Sequence, residues 1–180
     1  MSQLAVVAVI TGCIVSGWHV FLMVWPQRAR KWVTSLPRSV WAGRILAGVD
    51  VIFVTALLLN SDIKWIESHQ LLVLLMAPVA LVLIIVFVDD LLAARALGGL
   101  FLLCPLPILH AAFVHPSNSR LVMTVFAYVL VILGIVWVWS PFMFRKMTAK
   151  WVAGPRLSRM VGLAGCLLGL VMVLLGLTVY

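Results

Sequence analysis

The sequence predicts an all-α, polytopic membrane helical bundle of about six transmembrane helices. Of its 180 residues, 65% are hydrophobic and 10% are charged, and the mean hydropathy is +1.23, which lies far outside the range of water-soluble domains. The apolar residues form continuous runs rather than the alternating pattern of barrel strands, so helices are favoured. The segments between the runs are too short for a soluble domain, which makes residues 1–180 a single integral membrane domain.

Six apolar runs are each long enough to cross the ~30 Å hydrocarbon core, which takes about 20 helical residues. They lie near residues 3–25, 41–60, 69–88, 91–113, 120–140 and 158–179. The opening "MSQ" has no basic residue, and the cations follow the first apolar run instead of preceding it. The first run is therefore expected to stay in the mature protein as a helix rather than to be cleaved as a signal peptide.

The distribution of charge predicts the orientation in the membrane. Of the 13 Lys and Arg residues, all except Lys64 and Arg120 follow the first, third or fifth predicted helix. If the chain alternates sides, these cations share one face, and the positive-inside rule predicts a cytoplasmic basic face with an N-out/C-out topology. Tryptophans flank the same segments, as amphipathic rings do at the headgroup level: they are Trp25, Trp32, Trp41, Trp139 and Trp151.

The basic segments are predicted to contact lipid headgroups, because anionic headgroups attract suitably placed cations by about 1 kcal/mol each. Nucleic acid is not an expected partner, since the short connections offer no fold that would bind it. The residues assigned to this role are Arg28, Arg30, Lys31, Arg38, Arg44, Arg145, Lys146, Lys150, Arg156 and Arg159.

The two most basic segments are similar to each other, since "WPQRARKWVTSLPRSVWAGRILAG" has an echo in "WSPFMFRKMTAKWVAGPRLSRMVGLAG". The pairs that align at a constant offset are Pro26 with Pro141, Arg30 with Arg145, Lys31 with Lys146 and Arg44 with Arg159. Each copy runs inward through a helix, along a basic segment and outward through a second helix, so a repeat would be parallel. Two explanations stay open: a duplication of the terminal hairpins, and the shared composition of positive-inside segments.

Each terminal hairpin resembles a group of small, uncharacterised bacterial inner-membrane proteins made of two helices. The shared features are a Pro just after the first helix, an Arg-Lys pair, a second Pro and an Arg that opens a Gly-containing second helix. The resemblance covers the two ends of the chain and not the third and fourth helices. It implies the inner, or plasma, membrane of a bacterium and carries no activity, because the group has none established.

Asp50 is predicted to lie near the membrane midplane, about nine residues beyond Trp41 at ~1.5 Å per residue. An unpaired carboxylate at that depth is costly, so the group must be protonated, hydrated or paired. His19 lies at a similar depth on the first helix, and the two side chains are predicted to form an intramembrane polar pair. A structural role for the pair is expected, and a proton or cation relay is the functional alternative.

No catalytic residue is assigned, and the chain is predicted not to be an enzyme. The stretch "DDLLAAR" resembles the start of the CDP-alcohol phosphotransferase signature, but Leu91 replaces its Gly, and Ile108 and Ala112 replace two carboxylates that its metals need. Asp89 and Asp90 are instead predicted to lie in the turn before the fourth helix and to complement its dipole. A nucleophile elbow, a His-Glu-x-x-His motif and a Gly-rich phosphate loop are also missing.

Small residues predict a close contact between the first and last helices. Gly165 and Gly169 form a small-xxx-small face on the last helix, and Gly12 and Ser16 have the same spacing on the first. Pro105, with a second proline two residues later, is expected to bend the fourth helix.

No cofactor and no metal site are predicted. His69 with His110 is the one pair whose geometry stays open to a metal ion, and it lacks a ligand spacing of known specificity. The three cysteines are isolated in apolar helices and are expected to serve as packing residues.

The predicted function is that of a non-enzymatic multi-pass membrane protein, an accessory or scaffold subunit of a larger membrane complex or a homo-oligomer. The connections are too short for a receptor or catalytic domain. The predicted partners are therefore membrane lipids, together with other membrane subunits or further copies of the chain. The alternative function is that of a small transporter or channel that uses the intramembrane carboxylate of Asp50.

Overall fold

The computed structural model describes residues 2–88, 91–152 and 154–180. All regular secondary structure in these ranges is helical, and six helical segments are long and apolar enough to cross a membrane. The predicted all-α bundle of six spans is confirmed. Asp89 and Asp90, which were predicted to complement the dipole of the fourth span, lie outside the described residues.

The described ranges contain long spanning helices joined by shorter ones. In chain order the helices are α1 (Gln3–Val24), α2 (Pro26–Ser35), α3 (Val40–Leu59), α4 (Lys64–Ser68), α5 (Gln70–Phe87), α6 (Leu92–Leu103), α7 (Pro105–Val114), α8 (Arg120–Trp139), α9 (Pro141–Trp151) and α10 (Pro155–Thr178). A 3₁₀ turn, Leu36–Arg38, lies between α2 and α3. The spans are α1, α3, α5, the pair α6 and α7, α8 and α10, and every end lies within about three residues of its predicted position.

The fourth span is interrupted at Cys104, where α6 ends and α7 begins. Pro105 has no backbone N–H and occupies the first turn of α7, so the ladder of helical hydrogen bonds cannot continue through it. The backbone of Cys104 keeps helical angles (φ −55°, ψ −35°) and Leu92–Val114 forms one span, so the bend expected at Pro105 stays a prediction.

The basic segments after the first and fifth spans are helical, whereas the sequence predicted loops. α2 begins at Pro26 and α9 at Pro141, in the first helical position that proline favours. Each helix buries one side, at Ala29 in α2 and at Phe144 and Thr148 in α9, while its cations are exposed. This pattern is typical of helices that lie in the plane of the membrane interface. Both terminal hairpins therefore share the order of span, Pro-initiated basic helix and span.

The first and last spans form the most extensive helix contact of the bundle. They run antiparallel, because Met23 near the end of α1 lies beside Gly162 near the start of α10, and Ala5 lies beside Gly176. A second group of helices has α6 at its centre, between α3 and α8.

The two groups meet at both ends of the bundle. One junction is an apolar cluster of Leu4, Ala8, Ile108, Ala111, Ala112, Met123, Ala127 and Met172, from α1, α7, α8 and α10. The other junction is formed by α2 and α9, which lie side by side. This second end, made of residues 25–39 and 140–152, is called the basic end below.

Helix α5 lies at the periphery of the bundle. None of its residues is buried, and among the spans it packs mainly against α3. Leu81, Ile84 and Ile85 on one side of α5 contact the cluster around Ala47. The opposite side is apolar and exposed.

Candidate functional site

Asp50 lies in the contact between α3 and α6, where small residues bring two parallel helices together. A Cβ atom added to Gly43 would lie 3.0 Å from the nitrogen of Ala93, and one added to Gly99 would lie 2.8 Å from Oδ2 of Asp50. The carboxyl group therefore occupies the space that Gly99 leaves by having no side chain. The Oδ1 atom of Asp50 is buried and has no hydrogen-bond partner among the described residues.

The structure does not bring His19 and Asp50 together, so the predicted polar pair is not formed. The ring of His19 lies against Gly165 of α10, where a side chain of that residue would otherwise be. Its Nδ1 atom is 2.7 Å from the carbonyl oxygen of Val15 on the same helix. The similar depth of the two residues was predicted from the sequence, but depth does not determine which neighbouring helix each side chain faces. His19 faces α10 and Asp50 faces α6.

Two adjacent glycines allow α6 to approach a different helix on each side. A Cβ atom on Gly98 would lie 2.9 Å from the nitrogen of Val138 and 3.1 Å from the carbonyl oxygen of Gly134, both in α8, while Gly99 faces α3. Close backbone contact in a membrane requires such small residues. The sequence interpretation did not single out these positions, although the run "AARALGG" was a signal for them.

The predicted packing face lies in the contact between α1 and α10. A Cβ atom on Gly169 would lie 2.7 Å from the carbonyl oxygen of Gly12 and 2.7 Å from the nitrogen of Ser16, and it would also overlap the Ser16 hydroxyl. Gly165, one turn earlier, accommodates the ring of His19. The structure therefore brings all four predicted residues into a single helix contact.

An open groove of about 900 Å³ lies at the basic end, between α2 and α9. Arg38 lines it from the turn before α3, and Arg145 and Lys146 line it from α9. All three side chains are exposed, as are the other seven cations predicted to contact headgroups. None of the described residues that line the groove is acidic, so its lining attracts anions.

Exposed tryptophans lie in the basic end and next to it. Trp32 in α2, Trp41 at the start of α3 and Trp139 at the end of α8 are 65%, 74% and 90% exposed. The guanidinium carbon of Arg44 lies 5.9 Å from the centre of the Trp41 ring, within the range of a cation–π contact. Indole rings beside cations are typical of the headgroup level of a bilayer.

His69 and His110 lie in different surroundings. His69 stacks on Trp65 with 4.8 Å between ring centroids, and its Nδ1 atom is 2.9 Å from the Trp65 carbonyl oxygen. His110 lines a cavity of about 520 Å³ together with Gln3 and Leu57. In the parts of the chain that the structure describes, no three His, Cys, Asp or Glu side chains are grouped as metal ligands would be.

The end opposite the basic end is held together by Arg120 and Tyr180. Arg120 donates from Nη1 to the carbonyl oxygens of Phe113 at 3.0 Å and His115 at 2.9 Å, and so caps the end of α7. The hydroxyl of Tyr180 donates to the carbonyl oxygen of Ser119 at 2.6 Å, and burial raises the pKa of Tyr180 above its usual value of 10.0. Sequence reasoning missed this bond because its two residues are 61 positions apart.

No protein-family model, no curated protein and no solved structure matches the chain.

Proposed function

We propose that the chain is a non-enzymatic subunit of a bacterial inner-membrane assembly, either an accessory or scaffold subunit or one copy in a homo-oligomer. In this proposal the basic end is cytoplasmic, as the positive-inside rule predicts. Helix α5 is the observation that carries the proposal. This span of 18 residues buries none of them and packs on one side only, so its opposite side is left for another subunit.

Pro78 lies inside α5 and leaves a backbone carbonyl group of this helix without its usual hydrogen bond. Proline has no backbone N–H, so the carbonyl oxygen of Leu74 lacks its helical donor at the centre of α5. Hydrocarbon provides no donor, and an unsatisfied carbonyl there costs several kcal/mol. The helix contains no Ser or Thr to replace the missing donor. A neighbouring helix from another subunit can supply one.

Site-specific photo-crosslinking in the native membrane tests this proposal. Leu75 and Val82 lie on the exposed side of α5 and are each 59% exposed, and Ile132 of α8 is a matched control at 61%. A photoreactive residue at Leu75 or Val82 should give one defined protein adduct, a second copy or another subunit, and Ile132 should give none. Lipid adducts alone at Leu75 and Val82, with a native mass equal to one chain, would contradict the proposal.

A proton or cation transporter is the second candidate, and Asp50 is the observation in its favour. A buried carboxyl oxygen with no hydrogen-bond partner among the described residues destabilises the fold. Ionisable groups at such positions in membrane proteins commonly mark ion or proton pathways. The matched test is flux through reconstituted wild-type protein and Asp50→Asn, which keeps the shape and removes the charge. Flux that Asp50→Asn abolishes would replace the scaffold proposal with this one.

A further inference from the structure

We propose that the groove between α2 and α9 binds the phosphodiester headgroup of one anionic phospholipid. The inference is independent of the function proposed above, because it concerns the basic end alone. It goes beyond a general attraction of basic segments to the bilayer, since it assigns one site that both terminal hairpins must build together.

The cations of the groove come from opposite ends of the chain. Arg38 belongs to the first hairpin, whereas Arg145 and Lys146 belong to the second. The packing of α2 against α9 brings them to one lining, with Ala29 of α2 buried in the same cluster as Val152. Arginine matches a phosphate with two parallel N–H donors and lysine adds a compact charge, so the three side chains suit one phosphodiester.

Ser39 gives the groove a further donor. The hydroxyls of Thr34, Ser35 and Thr148, which also line it, donate to carbonyl oxygens of their own helices. The oxygen of Ser39 instead accepts the N–H of Ala42 at 3.2 Å, which leaves its hydroxyl hydrogen for a ligand. Ser39 also caps the 20-residue helix α3, whose N-terminal dipole attracts an anion to the same place.

Apolar side chains in the lining favour a lipid over a soluble phosphate. Val33 and Phe142 line the groove beside the cations, and Phe142 is 62% exposed. A free phosphate would gain nothing from these surfaces, whereas the glycerol and acyl carbons of a phospholipid would cover them. The exposed tryptophans around the basic end also place the groove at the depth where phospholipid headgroups lie.

The test compares two triple variants of the purified, delipidated full chain in neutral detergent. One replaces the groove cations (Arg38→Gln, Arg145→Gln, Lys146→Gln), and the other replaces three exposed cations that do not line the groove (Arg28→Gln, Lys150→Gln, Arg156→Gln). Both lower the formal net charge from +8 by 3, to +5. Dioleoyl phosphatidylglycerol is the probe, dioleoyl phosphatidylcholine is the neutral control, and native mass spectrometry counts bound lipid.

The wild-type protein should retain one phosphatidylglycerol in preference to phosphatidylcholine. The groove variant should bind it on the order of 100-fold more weakly, about fivefold for each cation. The control variant should stay within about threefold of wild type, because its three cations do not line the groove and a neutral micelle offers no anionic bilayer surface for them to contact. If the groove triple variant fails to fold, each single replacement should still weaken binding about fivefold. Equal losses in both triple variants would show diffuse charge attraction and overturn the proposal. Binding of glycerol 3-phosphate as tight as that of the intact lipid would also overturn it, because the source would then be a soluble phosphate.

Discussion

Replacing Gly169 with alanine should weaken the contact between the first and last spans. The added Cβ atom would lie 2.7 Å from the backbone of both Gly12 and Ser16, whereas ordinary contacts begin at 3.4 Å. The two helix backbones must therefore separate by about 0.7 Å, the difference between these distances, because backbone atoms cannot rotate away as a side chain can. Overpacking of this kind costs about 1–3 kcal/mol.

Gly17 on α1 is the matched control. It is close in sequence to the same contact, but a Cβ atom there would have nothing within 4 Å. Gly17→Ala should therefore leave the unfolding free energy unchanged within about 0.5 kcal/mol or raise it slightly, because alanine favours the helix.

Reversible unfolding of the two variants in mixed micelles measures the difference. We expect Gly169→Ala to lower the unfolding free energy by about 1–3 kcal/mol relative to Gly17→Ala. Equal free energies for the two variants would refute the reasoning, because backbone contact at Gly169 would then contribute nothing to stability. Disulfide crosslinking across α1 and α10 would show whether the helices had separated.

Three further predictions concern other parts of the molecule. With the native cysteines replaced, an impermeant maleimide added outside the cell should label Asn118→Cys and not Lys150→Cys, both exposed positions; the reverse result would invert the proposed orientation. Gly99→Ala places a methyl group 2.8 Å from Oδ2 of Asp50 and should lower the unfolding free energy by about 1 kcal/mol. In a double-mutant cycle, Gly99→Ala should have no such cost when Asp50 is already replaced by alanine. Additive losses would show that the two groups do not touch. Tyr180→Phe removes the 2.6 Å hydrogen bond to a carbonyl oxygen and should cost about 1 kcal/mol at neutral pH. Because burial raises the pKa of Tyr180 above 10.0, the wild-type advantage should be complete below about pH 10 and decline as the pH rises through the folded pKa; an advantage that declines near pH 7 would exclude the phenol as its source.

The spans could be predicted because each depends on a property of one stretch of chain. Continuous apolar length located all six, and the spacing of Gly165 and Gly169 indicated a face that the structure places against α1. The helical form of α2 and α9 was missed because their cations suggested loops, although Pro26 and Pro141 marked helix starts.

Contacts between helices were harder to predict than the helices themselves. The sequence gives the depth of a side chain but not the rotation of its helix, which is why His19 was assigned to Asp50 rather than to α10. The role of Gly99 likewise depends on which helix lies beside it, and only the assembled bundle determines that neighbour. The groove at the basic end joins residues more than 100 positions apart, so no local pattern in either hairpin reveals it.

The pairing of α1 with α10 has a consequence for biosynthesis. A ribosome adds about 5–20 residues each second, so Gly12 is synthesised roughly 10–30 s before Gly169. During that interval α1 presents an unfilled glycine surface to lipid and to every other nascent span nearby. Helix α1 therefore remains without its partner while residues 13–168 are made, and a translational pause within that stretch would lengthen the time for which its glycine surface is open to other helices.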